Sequence, residues 1–275
     1  MKLLILIIAV SLSLNACTSD KQKVNSDNSN PAMSEQLNLQ GAWVLKDYTT
    51  DIEKTKSPLK SAEKLTGLVS FYVDTIFKND SVKVAGSWNN HEGIIFTVYS
   101  KKAEKTNHLK TDLQDYEEPS NYFEFGFETI EKETILTLFH YDKSNKLLDS
   151  KQFTKILDKQ NNTDPTYGLQ YSVNQKLISG NYTMTDDKNA KSKVAFTNDG
   201  TVTGFPNFKN YYISTDFSGG PTPTFDEIII DLNLPTQRNF IFKRGENSLD
   251  IFSTKGDEAD DDVKPDKLKY HLVKE

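Results

Sequence analysis

The sequence predicts an all-β chain made of two consecutive antiparallel domains. Apolar residues recur with period two, Asn, Asp and Gly punctuate the alternating runs, and the two halves open, turn and close alike. In Val69-Ser70-Phe71-Tyr72-Val73 the residues Val69, Phe71 and Val73 share a face. In Tyr122-Phe123-Glu124-Phe125-Gly126-Phe127-Glu128 three Phe point one way, and Ile135, Thr137, Phe139 and Tyr141 alternate against Leu136, Leu138 and His140. A strand sends successive side chains to opposite faces, so these runs read as half-buried strands. Lys78-Asn79-Asp80-Ser81, Asn198-Asp199-Gly200 and Arg244-Gly245-Glu246-Asn247 read as hairpin turns, because Asn, Asp and Gly tolerate left-handed backbone.

The elements follow in chain order. Met1-Lys2 is a positive start, and Leu3 to Leu14 is apolar apart from Ser11 and Ser13. The run is shorter than the ~20 residues a bilayer span needs, and it leads into Leu14-Asn15-Ala16-Cys17, so 1–16 reads as a cleaved signal. Between Thr18 and Gln36 only Val24, Ala32 and Met33 are apolar, too few to offset ordering entropy, and 17–36 reads as a flexible tether. The first β-domain is expected at 37–157, a polar linker at 158–174 and the second domain at 175–275, each within the size range of an independent domain. Residues 50–66 are the best candidate for a short helix, interrupted by Pro58.

The halves echo each other. Leu39-Gln40-Gly41-Ala42-Trp43 opens the first and Ile178-Ser179-Gly180-Asn181-Tyr182 the second. Phe77-Lys78-Asn79-Asp80-Ser81 answers Phe196-Thr197-Asn198-Asp199-Gly200, and Phe153-Thr154-Lys155 answers Tyr270-His271-Leu272-Val273-Lys274 at the close.

Composition excludes several classes. Lys and Arg number 33 against 39 Asp and Glu, so the formal charge is −6, a poor footprint for nucleic acid. Loss of 1–16 takes Lys2 with it, leaving 32 basic against 39 acidic residues and a charge of −7. One cysteine permits neither an internal disulfide nor a Cys-based zinc site.

Leu14 and Ala16 before Cys17 resemble the lipobox of bacterial lipoproteins. That resemblance implies cleavage before Cys17 and acyl chains on it, and two or more chains anchor stably. The Lys-, Asn- and aromatic-rich style behind a polar tether looks like a Bacteroidetes-type envelope lipoprotein. The implied address is the cell envelope at the outer membrane, with the periplasmic and surface faces both open. The Gly-x-Trp opening, antiparallel meander and closing base resemble lipocalin-like β-barrels, which implies two tandem small barrels. In that family the Trp closes one end and the base packs on its ring. The implied pairs are Trp43 with Lys155 and Tyr182 with Lys274 or Lys269. The stretch Asp199-Gly200-Thr201-Val202-Thr203-Gly204-Phe205 also resembles the small META-type envelope domain.

Chemistry is sparse. His91, His108, His140 and His271 show no local spacing for a metal site, and neither a nucleophile elbow nor a phosphate loop occurs. Ser218-Gly219-Gly220-Pro221-Thr222-Pro223 reads equally as a rim loop or a connector. Asp257-Glu258-Ala259-Asp260-Asp261-Asp262 reads as a solvated hairpin tip, with calcium the lesser reading. The expected function is a non-enzymatic binding module for a small hydrophobic molecule, held to a membrane through Cys17, without cofactor or metal. Its ligand would meet Trp43, Phe123, Phe125 and Phe127 of the first half. The alternative is a partner for another envelope protein (accessory subunit, inhibitor or immunity-type protein), with Tyr211-Tyr212 as exposed anchors.

Overall fold

A computed structural model describes residues 39–75, 80–103, 106–130, 133–205, 207–217, 223–256 and 263–275. The signal, Cys17 and the tether lie outside the described residues, as do Lys78 and Asn79 of the turn at 78–81, most of the loop at 218–223 and the acidic run at 257–262. Leu39–Glu275 forms one compact unit.

The first sheet comprises β1 (Gly41–Leu45), β2 (Leu68–Val73), β3 (Ser81–Trp88), β4 (Glu92–Lys102), β5 (Leu109–Gln114), β6 (Tyr122–Ile130), β7 (Glu133–Tyr141) and β8 (Leu147–Leu157). Each strand pairs antiparallel with the next and β8 returns to β1, so the meander closes into a barrel. Closure leaves no unpaired edge. Period two explains the filling. Phe71 meets Trp43 at 6.1 Å between ring centroids, Phe125 at 5.6 Å and Phe153 at 5.3 Å, and Phe96 lies on Phe125 at 6.3 Å. This aromatic cluster occupies the lumen toward the Trp43 end.

The second sheet contains β9 (Gly180–Asp186), β10 (Lys191–Phe196), β11 (Val202–Thr203), β12 (Tyr211–Ile213), β13 (Glu227–Ile230), β14 (Arg238–Arg244), β15 (Ser248–Lys255) and β16 (Lys264–Lys274). It follows the same path, with β16 returning to β9. Closure as a second barrel, however, is not complete. Its end strands β11 and β12 share no ladder. They meet at one Thr201–Asn210 bridge, flanked by the Val202 N–H on Lys209 O (2.9 Å) and the Tyr211 N–H on Gly200 O (2.8 Å). Both strands are too short to pair further. Side chains cover the seam instead: Phe205, buried, packs on Phe196 at 6.1 Å and on Tyr270 at 4.6 Å.

The two openings match in detail. Gly41 has φ +122° and Gly180 has φ +142°, a region that side chains avoid. At Gly41 a Cβ would lie 2.3 Å from the Leu157 carbonyl oxygen, so the residue type is dictated by backbone contact. Trp43 Nε1–H donates to Leu39 O at 2.8 Å, and the Tyr182 hydroxyl donates to Ile178 O at 2.6 Å, four residues back in both cases. Both rings are fully buried.

Helices form the layer between the sheets. The candidate at 50–66 is α1 (Lys46–Thr55) followed by a short 3-10 turn (Leu59–Lys64), and Lys56 stops α1 in left-handed backbone just before Pro58. A second helix, α2 (Tyr167–Leu177), occupies part of the expected linker. Its buried face mixes Leu169, Val173 and Leu177 with Gly168, Ser172 and Asn174, so hydrophobic periodicity does not reveal it. Gly168 sits on β1, where a Cβ would fall 2.8 Å from that of Ala42. Ser70 donates to Pro165 O just before the helix. This cover buries β1 and β2 on both faces, where alternation alone had implied one.

Polar contacts tie the first half of the chain to the second. Asp226 accepts the Leu59 N–H at 2.9 Å, Lys176 meets Glu53 at 2.8 Å, and Asn90 donates to Thr215 O at 2.7 Å. His91 meets Asp216 at 2.9 Å, and that carboxylate raises the imidazole above its ordinary value. Burial pushes the Asp226 carboxyl up.

Candidate functional site

The barrel is filled at one end and hollow at the other. A cavity of about 400 Å³ opens at the mouth, lined on the apolar side by Leu68, Trp88, Phe123 and Leu138. The register puts charge on this same inward face. Phe123 pairs with His140 and Phe125 with Leu138, and across the next ladder Leu138 pairs with Lys151 and His140 with Asp149. Neighbours across a ladder share a face, so the chain turns from Phe153 to Lys151 and Asp149 as it leaves the core.

Three loops complete the rim. Gly67, at φ +62°, and Asn89 clasp each other: the Gly67 N–H donates to Asn89 Oδ1 and the Asn89 N–H to Gly67 O, both at 2.7 Å. A Cβ at Gly67 would lie 3.1 Å from Lys151 Nζ and 3.7 Å from the Trp88 ring. The β5–β6 loop brings Asp115, Tyr116 and Glu117. Phe123 stacks on His140 at 4.3 Å and meets Trp88 edge-on at 6.3 Å.

The polar groups are ordered by pairing. His140 Nε2 lies 3.0 Å from Asp115 and its Nδ1 lies 3.6 Å from Asp149. Asp115 also accepts the N–H groups of Glu117 and Glu118 and the Asn121 amide. Burial pushes the Asp115 carboxyl up, but these hydrogen bonds and His140 together hold it below the usual carboxylate range. Lys151 donates to Thr66 O and, at 3.2 Å, to Thr66 Oγ1. Desolvation holds its ammonium below the ordinary lysine value, against the opposing pull of Asp149 and Asp47.

A second hollow of about 420 Å³ lies by Thr106, Lys110, Tyr122, Glu124 and Asn145. Glu124 is only 4% exposed, accepts the Thr106 hydroxyl, and faces His108 Nδ1 at 3.7 Å. His108 stacks on Phe139 at 4.3 Å, and burial holds its imidazole below the ordinary value against the pull of Glu124. All four histidines thus face carboxylates, His271 meeting Asp250 at 2.6 Å. Among the described residues no group of three His, Cys, Asp or Glu has the geometry of a metal site.

The four residues expected to meet a ligand divide. Trp43 and Phe125 are fully buried in the closed cluster, Phe127 is half-buried, and Phe123 lines the cavity. Trp88, His140, Lys151, Asp115 and Asp149 line it without having been singled out as ligand contacts. Strand register was the available signal for Lys151 and Asp149, once β6, β7 and β8 are aligned through their Phe residues. Lys155 Nζ lies 5.2 Å from the Trp43 ring centroid. Lys274 is the register partner of Tyr182, but its Cε runs over Gly180, 2.8 Å from where a Cβ would be. Lys269 instead meets Asp187 at 2.7 Å. The expectation of Tyr211-Tyr212 as exposed anchors fails for Tyr211, which is buried and donates its hydroxyl to Thr197 O at 2.6 Å.

Comparison with protein-family models, curated proteins and solved structures finds no match to the chain. Among the described residues no helix is long and apolar enough to cross a membrane.

Proposed function

We propose that the chain is a non-enzymatic binding module whose site is the mouth of the first barrel. The observation that supports this reading is one hollow of about 400 Å³ combining an apolar wall of Trp88, Phe123 and Leu138 with convergent polar groups on Lys151, His140 and Asp115. Concave sites of this size and mixed lining are the usual form of small-molecule pockets. The filled aromatic cluster below it favours a short ligand over a long lipid chain. At about 30 Å³ per water-sized atom group, the space takes roughly a dozen non-hydrogen atoms.

Burying an eight-carbon tail gains about 0.8 kcal/mol per methylene, and association takes back most of it. Calorimetric titration of octanol is expected to give a dissociation constant of about 1 mM or weaker. Leu138→Trp, which fills the hollow, should abolish the heat while the chain still melts cooperatively. If octanol gives neither heat nor a Trp88 fluorescence change in the native chain, the pocket reading fails. The role in binding another envelope protein then takes its place, with Tyr116, Leu147 and Leu148 as exposed apolar contacts.

The same proposal places the module in a bacterial envelope, as tandem lipocalin-like domains on a lipid-bearing Cys17. The supporting feature is the apolar leader that ends at the chain's one cysteine. Cys17→Ala is expected to move the chain from the membrane pellet to the soluble fraction, and a variant still wholly in the pellet overturns the anchor.

A further inference from the structure

The mouth cavity carries charges that a purely hydrophobic ligand does not use. Its acids are already engaged: Asp115 is held by two backbone N–H groups, Asn121 and His140, and Asp149 lies against the other nitrogen of His140. Glu117 stands exposed on the rim. Lys151 differs. Its Nζ donates to the Thr66 oxygens, both residues line the hollow, and among the described residues no ion pair within 4 Å joins it to a carboxylate. An ammonium partly withdrawn from water, hydrogen-bonded among the described residues to the Thr66 oxygens and with Asp149 and Asp47 acting only at longer range, gains from a bound anion. Trp88 stands beside it, since both side chains crowd the space above Gly67.

We propose that Lys151 is the counter-charge for a short amphiphile ending in a carboxylate, its head on Nζ and its apolar body against Trp88, Phe123 and Leu138. This rests on the pocket reading above and names the ligand class for that site. The head sits near the rim, where Gly67 leaves room beside Nζ, and the tail points toward the aromatic floor. Glu117 and Asp149 weigh against anions of higher charge, so a single negative charge suits the site better than a phosphate ester dianion.

Three ligands with one tail test it: octanoate, octanol and octylamine, titrated calorimetrically into the whole mature chain carrying Cys17→Ala. Octanoate is expected to bind about tenfold tighter than octanol, with octylamine the weakest. Lys151→Met should bring octanoate down to the level of octanol and leave octanol within about twofold. Lys151→Arg should keep most of the preference. Equal binding of octanoate and octanol to the native chain overturns the proposal, as does a preference that survives in Lys151→Met. Octylamine binding tightest also overturns it and assigns the head group to the acids. All three of those results leave the pocket standing, whereas absence of binding by all three ligands sinks the pocket itself. Should Lys151→Met not fold, Lys151→Gln takes its place with the same expected and overturning results.

Discussion

Phe71→Ala should lower the stability of the chain by about 3–5 kcal/mol, the range for removing a buried aromatic side chain. Phe71 is 1% exposed and lies at the centre of the barrel's aromatic cluster, with Trp43, Phe125 and Phe153 on its ring. Its neighbours belong to β1, β6 and β8, strands held in place by closed ladders, so the wall cannot collapse into the space. The lost contacts therefore stay lost. For a chain of this size the change corresponds to a fall of roughly 10 °C in melting temperature. Chemical denaturation of the native chain and the variant measures it. Ile95→Ala serves as the control: Ile95 lies 77% exposed on β4 and its loss should cost less than about 0.5 kcal/mol. A Phe71→Ala cost below 1 kcal/mol would mean that the barrel is loosely packed.

Asp231→Ala should cost about 2–4 kcal/mol, concentrated at the seam of the second sheet. Asp231 is 2% exposed, and its carboxylate accepts the N–H of Lys209 at 2.9 Å, the N–H of Asn210 at 3.1 Å and the hydroxyl of Thr236 at 2.7 Å. Those two backbone groups flank the point where β11 and β12 meet. Removing the carboxylate strands three donors, and each buried orphan costs about 1–3 kcal/mol before relaxation and water entry reduce it. Asp231 also holds φ +53°, where Asp is tolerated better than Ala. Asp231→Asn keeps an acceptor and the backbone preference and should cost less than half as much.

The pH dependence has a definite sign. Burial pushes the Asp231 carboxyl up, but the N–H of Lys209, the hydroxyl of Thr236 and the N–H of Asn210 together hold it below the ordinary value. A depressed carboxyl contributes stability that is fully present above its unfolded value of about 3.9 and lost as pH falls through the folded value. The native chain should thus lose stability relative to Asp231→Asn only below about pH 4, and the two curves should converge in acid. A gap that stays constant from pH 7 to pH 3 would remove Asp231 from the acid response.

Much of the fold was legible because strand alternation is a local property. Val69, Phe71 and Val73, or Phe123, Phe125 and Phe127, declare a strand and its inward face without knowledge of any partner. The Gly-x-aromatic openings were legible for a similar reason, since a ring that bonds four residues back carries its geometry within one short segment. Helix α2 was not, because its buried face relies on Gly168, Ser172 and Asn174, small or polar residues that become interior only once β1 lies beneath them. The incomplete seam of the second sheet was likewise hidden, because two- and three-residue strands carry too few side chains to show a period.

The sequence alone determined the β class, the meander of hairpins and the inward aromatic set, all written in neighbours a few residues apart. Only the tertiary structure decided that the aromatic set is a plug and that the hollow lies beyond it. Lys151, His140, Asp149 and Asp115 are 2 to 36 positions apart in the chain, and each alone reads as an ordinary strand or loop residue. Ladder register and barrel closure bring them to one mouth beside Trp88 and Phe123, and they do so because pairing across strands fixes spatial neighbours that sequence distance does not encode.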